Sequence, residues 1–141
     1  MNHKILIIGA GPAGVSAVET LRAYDRHSAV VMLSAEPYLP YSPPAMVDHF
    51  LTGSEAHLWR GSDWPERMDV DYRPGVTVTA VDLESHHVRL ASGVALDYDR
   101  LVIATGGRLY APLKGADFPG VYNFKSLSAA EALVGRVRIV H

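Results

Sequence analysis

The sequence predicts a three-layer α/β fold, in which a parallel sheet is the central layer and a small antiparallel β insertion is added. Two short apolar runs, Ile5–Ile8 and Leu101–Ala104, are typical of strands buried on both faces. The first run is followed by a glycine-rich turn, a helical pattern and a second strand at Ala29–Leu33. Two β-rich segments flank the hairpin signal Ala91–Gly93. A chain of 141 residues is long enough to bury a hydrophobic core.

The turn after the first strand carries a Gly-x-Gly-x-x-Gly pattern at residues 9–14. In this pattern Gly9 allows the tight turn, Gly11 lets a pyrophosphate approach the backbone, and Gly14 lets the next helix pack against the strand. Pro12 suits the first helical position, where a backbone N–H has no partner in the helix. The helix would then present its free N–H groups and positive dipole end to phosphates.

The residues after the turn continue this pattern. Ala17, Leu21 and Tyr24 have helical spacing, and we expect them on the buried face of the helix. Glu36 ends the second strand about 20 residues after the last glycine, where a carboxylate can accept hydrogen bonds from ribose hydroxyls. A βαβ unit with an ordinary glycine turn and a solvated Glu36 is the alternative. The order of strand, glycines, helix, strand and acid favours a Rossmann-like dinucleotide site.

The next segment is the proline loop, residues 37–44, which contains four prolines. Each proline fixes its own φ and restricts the residue before it, so the loop should be stiff. It is either a surface linker or a wall beside the ligand, and its position at a strand end favours the wall. Short helices are predicted at 45–51, closed by Gly53, and at 62–66, with Asp63 as N-cap.

Strands dominate the following part of the chain. Residues 76–81 alternate, and residues 88–90 and 94–96 should form a hairpin, so the three segments predict the antiparallel insertion. Residues 101–104 return to the parallel sheet. Near the end, residues 121–124 and 137–140 have strand character. Between them, Ser128 and Glu131 form a capping-box pattern that predicts a helix over 128–134.

Composition excludes several classes of function. The net charge is −2, which gives no reason to expect nucleic acid or an anionic membrane as partner. The absence of cysteine excludes disulfides and thiolate metal sites, and no apolar run is long enough for a membrane span. We therefore expect a cytoplasmic protein. The pair His86–His87 favours a solvated turn over a metal site, and His49 and His57 should be surface or hydrogen-bonded histidines. No catalytic nucleophile or acid–base pair is evident.

Four segments together resemble the FAD/NAD-linked pyridine nucleotide-disulfide oxidoreductase family, in particular its cysteine-free NADH-dependent ferredoxin, rubredoxin and acceptor reductases. They are the glycine turn with Glu36, the loop Pro40–Pro44, the segment Val78–Asp82 with its hairpin, and Tyr98–Gly107 followed by Pro112, Gly115-Ala116 and Pro119-Gly120-Val121. The last segment separates this family from simple NAD dehydrogenases. The resemblance covers nearly the whole chain.

The resemblance implies FAD as the cofactor, with NAD(P)H as electron donor of the complete enzyme and an acceptor protein or small molecule as partner. It implies that no side chain of this chain need be catalytic. The residues implied in cofactor binding are Gly9, Gly11, Pro12, Ala13 and Gly14 at the pyrophosphate, Glu36 at the ribose, Val78 at the adenine, Ala104, Thr105 and Gly106 along the dinucleotide, and Lys125 near the flavin phosphates.

Two features depart from the family pattern. Relatives often place a lysine after the proline loop, near the reactive edge of the flavin, where this chain has Ala45-Met46-Val47. The second glycine fingerprint, which binds NAD(P)H, is missing. We therefore expect residues 1–125 to be the N-terminal part of an FAD-binding domain and 126–141 the start of a truncated NAD(P)H-binding domain. Such a piece should retain FAD weakly, and its unpaired sheet edge would promote homo-oligomers.

Two other functions stay open. One is a non-catalytic nucleotide-binding subunit that needs a second chain to complete the flavin site. The other is a simple NAD(P)-binding Rossmann domain, against which the antiparallel hairpin and residues 104–106 argue.

Overall fold

A computed structural model describes residues 2–107 and 110–139. They divide into two compact units, unit 1 (residues 2–42 and 58–106) and unit 2 (residues 43–57, 107 and 110–139). In chain order the elements are β1 (Lys4–Ile8), α1 (Pro12–Tyr24), β2 (Ala29–Leu33), a 3₁₀ turn (Pro43–Ala45), α2 (Met46–Thr52), α3 (Trp64–Arg67), β3 (Val70–Arg73), β4 (Val78–Asp82), β5 (His87–Leu90), β6 (Ala95–Asp97), β7 (Arg100–Ile103) and α4 (Leu127–Ile139).

The central layer of unit 1 is a four-stranded sheet with the order β3-β2-β1-β7, and each pair of neighbouring strands is parallel. Ile5–Ile8 and Val30–Leu33 are buried throughout, as their unbroken apolar runs predict. The return of β7 to this sheet is confirmed. β7 lies at the sheet edge, and Ile103 is 63% exposed there. The strand β3 was not predicted, since Val70–Arg73 has no apolar run.

Side chains alternate between the two faces of the sheet. One face of β1 and β2 packs against α1 and α3 in a cluster of Ile5, Ile7, Val15, Val18, Val30, Met32, Trp64 and Val70. The other face packs against the antiparallel strands and Tyr98 in a cluster of Leu6, Ile8, Val31, Leu33, Val88, Leu90 and Tyr98. The three layers are therefore helices, parallel sheet and antiparallel sheet, which confirms the predicted fold class.

The antiparallel insertion has the order β4-β5-β6. The turn at Ala91–Gly93 joins β5 to β6 as predicted, with Gly93 at a φ of 87°. A register shift between Val78 and Ala80 interrupts the β4–β5 ladder near the start of β4.

The helix α1 differs from its prediction at its last turn. Val15 and Val18 are buried, but Tyr24 is 90% exposed, so its expected place on the buried face is wrong. Arg22 is the inward-facing residue of this turn, with a side chain only 9% exposed. Its guanidinium donates to the carbonyls of Met68 (2.7 Å) and Ser28 (2.9 Å), and so joins the end of α1 to the starts of β2 and β3.

The short helices α2 and α3 form close to their predicted positions. Gly53 ends α2 at a φ of 71° and its N–H donates to the His49 carbonyl at 2.9 Å, as a C-terminal glycine should. Asp63 precedes α3, but its side chain makes no capping bond. Its carboxylate instead pairs with Arg67 at 3.0 Å, because residues four apart share one helix face.

The C-terminal predictions need three corrections. Residues 121–124 form no strand, and α4 runs on from Leu127 to Ile139, so a strand beginning at Val137 is wrong. Val140 lies outside the described residues. Ser126, two residues before the predicted capping residue Ser128, accepts a hydrogen bond from the Ala129 N–H at 3.3 Å. Leu127 and Ala130 are buried at a spacing of three, so packing of the first turn sets where the helix begins.

Unit 2 exposes several large apolar side chains between its helices, among them Tyr110, Leu113 and Phe118. None of the helices in the described ranges 2–107 and 110–139 combines the length and the apolar character needed to cross a bilayer.

Candidate dinucleotide site

The parallel strands β1, β2 and β7 end at one edge of the sheet, and the chain leaves this edge at Gly9, Ser34 and Ala104. The connection from β1 leads to β2 on one side, whereas β7 lies on the other side of β1. This is a topological switch point, where open α/β sheets form their ligand crevices. The Ala104 N–H donates to the Ile8 carbonyl at 2.8 Å, which holds the start of the 104–106 segment beside the glycine turn.

Two of the three glycines in the turn are required by packing. Gly9 has a φ of 111°, and a Cβ built on it would lie 2.2 Å from the Ala104 carbonyl oxygen. A Cβ on Gly14 would lie 2.0 Å from the Gly9 carbonyl oxygen. Both distances are far below any real carbon–oxygen contact. The crossing of β1, α1 and the 104–106 segment is therefore so close that only glycine fits at these positions.

Gly11 has a different environment. A Cβ built on it meets no heavy atom within 4 Å, and its φ of −74° is accessible to any residue. Packing therefore does not explain this glycine, whereas a ligand that approaches the backbone would. Gly106 likewise borders open space, at a φ of 70°. The first turn of α1 lies beside Gly11, with Pro12 and Ala13 exposed.

The first turn of α1 suits an anion. The Val15 N–H is the first to bond within the helix, to the Gly11 carbonyl at 3.0 Å. The N–H groups of Ala13 and Gly14 precede it and have no acceptor inside the helix. Pro12 has no N–H to satisfy. Together with the helix dipole, these groups form the kind of site that binds phosphate, and so the open space at Gly11 fits a pyrophosphate.

Glu36 lies after β2 at the same edge, half-buried, and its backbone and side chain are both bonded. The Gly75 N–H donates to the Glu36 carbonyl at 3.0 Å, and the Tyr41 hydroxyl donates to Glu36 Oε2 at 2.6 Å. The Tyr72 hydroxyl donates to the Tyr38 carbonyl, which ties the proline loop to β3. Burial raises the pKa of Tyr72, and the charge of Glu36 raises it further.

Sequence reasoning missed both tyrosines. The signal for Tyr41 is its position five residues after Glu36 in a loop with prolines at 37 and 40, which lets the ring fold back toward the carboxylate. The signal for Tyr72 depended on recognising β3. Each hydroxyl makes a hydrogen bond to a residue in the range 36–38. These bonds hold the first part of the proline loop in place at this edge of the sheet.

Val78 follows two residues after Val76, whose N–H donates to the Ser34 carbonyl at 2.7 Å. This bond brings the start of β4 to the end of β2, next to Glu36. Val78 is half-buried and pairs with Leu90 in β5. The structure thus brings together the glycine turn, Glu36, the start of β4 and the 104–106 segment, all within unit 1.

Lys125 belongs to unit 2, where its ammonium group donates to the carbonyl of Gly107. Its predicted role near the flavin phosphates stays a prediction, as do the ligand contacts of the other predicted site residues.

The histidines follow the predictions in part. His86 stacks on Tyr98 with ring centroids 5.5 Å apart, and Ser85 Oγ lies 2.8 Å from His87 Nδ1. In unit 2, His57 is 5% exposed and packs against His49 with ring centroids 4.4 Å apart. The Nδ1 atom of His57 has no hydrogen-bond partner among the described residues, so the prediction of a surface or hydrogen-bonded histidine is wrong there. No group of three or more metal-ligating side chains occurs within residues 2–107 and 110–139.

The sequence profile described as "Pyridine nucleotide-disulphide oxidoreductase" matches residues 3–138. Rhodocoxin reductase of Rhodococcus erythropolis is 30% identical over 134 residues, which are 92% of this chain and 31% of that protein. The ferredoxin–NAD(+) reductase component of the anthranilate 1,2-dioxygenase system of Burkholderia cepacia is 37% identical over 107 residues, 74% of this chain and 26% of that protein.

A solved structure of a ferredoxin reductase from Rhodopseudomonas palustris superposes with a TM-score of 0.83 at 27% identity, over 98% of this chain and 35% of that one. This chain therefore spans about a third or less of the length of these three proteins. The profile match covers the glycine turn, the antiparallel insertion and the segment after β7. The chain belongs to the pyridine nucleotide-disulphide oxidoreductase family.

Proposed function

We propose that this chain is the FAD-binding part of an oxidoreductase that passes electrons from NAD(P)H through FAD to an acceptor protein. The observation that carries the proposal is the open space at Gly11, between two glycines that packing requires and beside the first turn of α1. Two relatives are a rhodocoxin reductase and a ferredoxin–NAD(+) reductase component, and this supports an acceptor protein of the ferredoxin type.

When bound, FAD supplies the redox chemistry, since it exchanges electrons with both the nicotinamide and the acceptor. The protein binds and orients it. The N–H groups of Ala13 and Gly14 would donate to the pyrophosphate, and the helix dipole would offset its charge. Glu36 would accept hydrogen bonds from the adenosine ribose.

Three further contacts complete the proposed site. The backbone of Val78 would contact the adenine, residues 104–106 would line the dinucleotide, and Lys125 would lie near the flavin phosphates. The open backbone at Gly106 supports the second of these contacts. No side chain of this chain need give or take a proton in the reaction.

The domain division that we propose has an FAD-binding part over residues 1–125 and the start of an NAD(P)H-binding domain over 126–141. This chain spans less than a third of the length of each of these two relatives. That short share supports the proposal that further protein completes the site. A second chain could supply it, and in that case this chain is a nucleotide-binding subunit. We place the protein in the cytoplasm, because a reaction that consumes NAD(P)H needs a compartment that supplies it.

A binding titration tests the proposal. The purified 141-residue chain is titrated with FAD, FMN and NAD(+) by calorimetry, and the retained flavin is read from the absorption spectrum after gel filtration. FAD should bind more tightly than FMN, which lacks the adenosine half that unit 1 is proposed to hold. Glu36→Ala should weaken FAD binding by about 1.5–3 kcal/mol, the value of a charged hydrogen bond.

Tight FAD binding, together with turnover of NADH in the presence of an artificial acceptor, would mean that this chain completes the flavin site by itself or as an oligomer. Weak FAD binding without turnover is the result that we expect. Binding of NAD(+) in preference to FAD would contradict the proposal and favour a simple NAD(P)-binding domain.

A further inference from the structure

The carboxylate of Glu36 lies against the hydroxyl of Tyr41, which donates to Oε2 at 2.6 Å. Both side chains are half-buried. A hydroxyl that donates to a carboxylate at this distance makes a charge-assisted bond, which is stronger and better oriented than a bond between neutral groups. We propose that Tyr41 is a positioning residue that holds the Glu36 carboxylate ready for the two hydroxyls of a ribose. The inference rests on the proposed function.

The backbone around Glu36 is fixed independently of Tyr41. The Glu36 carbonyl accepts from the Gly75 N–H at 3.0 Å, and the Tyr72 hydroxyl anchors the Tyr38 carbonyl. Pro37 and Pro40 restrict the loop further. These are backbone contacts, whereas the direction of the carboxylate at the end of a long side chain depends on contacts with the carboxylate itself, of which the bond from the Tyr41 hydroxyl is one. Glutamate is among the side chains that lose most rotamer freedom when ordered, so a bond that orders it in advance favours binding.

The bond from Tyr41 is compatible with ligand binding. An ionised carboxylate has about four lone-pair sites, so it can accept from a tyrosine and from a ribose diol together. Toward the ionised carboxylate the tyrosine hydroxyl acts only as a donor. It therefore leaves Glu36 as the acceptor for the hydroxyls of the diol. Tyr41 therefore acts on the ligand through Glu36, and its effect should depend on the diol.

The test compares two nucleotides on the 141-residue chain by calorimetry. Adenosine diphosphate carries the diol and the pyrophosphate, and 2′,3′-dideoxyadenosine diphosphate lacks only the diol. Tyr41→Phe removes the hydroxyl, and Glu36→Gln removes the charge. Tyr72→Phe is the matched control, since it removes a hydroxyl that anchors the same loop but bonds to a carbonyl. Tyr24→Phe, at a 90% exposed position, controls for the loss of any tyrosine hydroxyl.

The wild-type chain should prefer adenosine diphosphate to the dideoxy nucleotide by about ten- to a hundredfold. Tyr41→Phe should reduce this preference by about three- to tenfold and leave binding of the dideoxy nucleotide unchanged. In the Glu36→Gln background the same change should have little effect on the preference. Tyr72→Phe and Tyr24→Phe should keep the wild-type preference.

Equal weakening of both nucleotides by Tyr41→Phe would mean a structural role for the hydroxyl and would overturn the inference. The inference would also be overturned if Tyr41→Phe kept the wild-type preference for adenosine diphosphate while Glu36→Gln lost this preference. That result would leave the proposed function intact. Failure of the wild-type chain to bind either nucleotide overturns both. Should Tyr41→Phe prove unfolded by circular dichroism, Glu36→Asp withdraws the carboxylate from Tyr41 by one methylene, and a full wild-type preference there would overturn the inference.

Discussion

Replacing Gly11 with alanine should weaken dinucleotide binding by at least about tenfold while the fold stays intact, whereas the same change at Gly14 should destabilise the fold. At Gly11 the φ of −74° and ψ of −177° suit alanine, and the added Cβ meets nothing within 4 Å. The loss of backbone freedom in the unfolded chain stabilises by about 0.4–1 kcal/mol. The poorer helix cap that alanine makes offsets a similar amount, so the net change in stability should be within about 1 kcal/mol.

At Gly14 the Cβ would lie 2.0 Å from the Gly9 carbonyl oxygen and 3.1 Å from the Gly9 carbonyl carbon. Both are backbone atoms, so no side chain can rotate away, and α1 must move off β1. Overpacking of this kind costs about 1–3 kcal/mol. For a chain of this size, that corresponds to a fall in Tm of about 3–9 °C, at roughly 3 °C per kcal/mol.

The assay pairs thermal unfolding by circular dichroism with titration of adenosine diphosphate. Gly11→Ala should melt within about 3 °C of the wild-type chain and bind at least about tenfold more weakly, because its methyl group takes the space of the pyrophosphate. Wild-type affinity in Gly11→Ala would refute the assignment of this space to a ligand. A wild-type Tm in Gly14→Ala would show that the close crossing of α1 and β1 does not limit packing as we argue.

Three further predictions concern stability. Arg22→Ala removes the guanidinium from the carbonyls of Ser28, just before β2, and of Met68 and Asp69, just before β3. This should lower the free energy of unfolding in urea by about 2–4 kcal/mol, and a loss below about 1 kcal/mol would contradict the argument. The buried Trp64 indole N–H donates to the Glu19 carboxylate at 3.2 Å, and Glu19→Ala removes this acceptor. The variant should lose about 1–3 kcal/mol of unfolding free energy and shift the tryptophan fluorescence to the red. An unchanged spectrum would argue against this role of Glu19. The Ser28 hydroxyl and the N–H groups of residues 27 and 28 lower the pKa of Asp25, so its contribution is present above the unfolded pKa of about 4 and is lost as the pH falls below it. Asp25→Asn should therefore flatten the acid side of the stability curve, and a parallel curve would refute the assignment.

The parallel strands and the glycine turn could be predicted because their signals are local. Ile5–Ile8 is apolar without interruption, and a strand with that pattern must be buried on both faces. The hairpin at Ala91–Gly93 likewise depends on turn chemistry that neighbouring residues contain. For the same reason Gly53 could be recognised as the end of α2.

The errors have two causes, the continuation of a helix that has already formed and contacts with distant segments. Residues 137–139 are rich in β-branched side chains, yet they continue α4, because the helix is already formed from Leu127 and adding a residue to a helix costs less than beginning a strand. Tyr24 has the right spacing for the buried face, but Arg22 takes the inward position by bonding to the carbonyls of Ser28 and Met68, which precede β2 and β3. Such carbonyls cannot be located from helical spacing.

For the candidate site, the sequence by itself determined which residues are present at the strand ends: three glycines in a turn, a helix after them and an acid about 20 residues on. Only the tertiary structure decided which glycines are required by packing and which one leaves space for a ligand. A Cβ on Gly14 would lie 2.0 Å from a backbone oxygen, whereas a Cβ on Gly11 would meet no atom within 4 Å. It also decided that Tyr41 reaches Glu36, since loop closure depends on anchors from β3 and the segment after it. Spacing along a chain fixes the chemistry that is available, and packing between distant segments fixes where it is used.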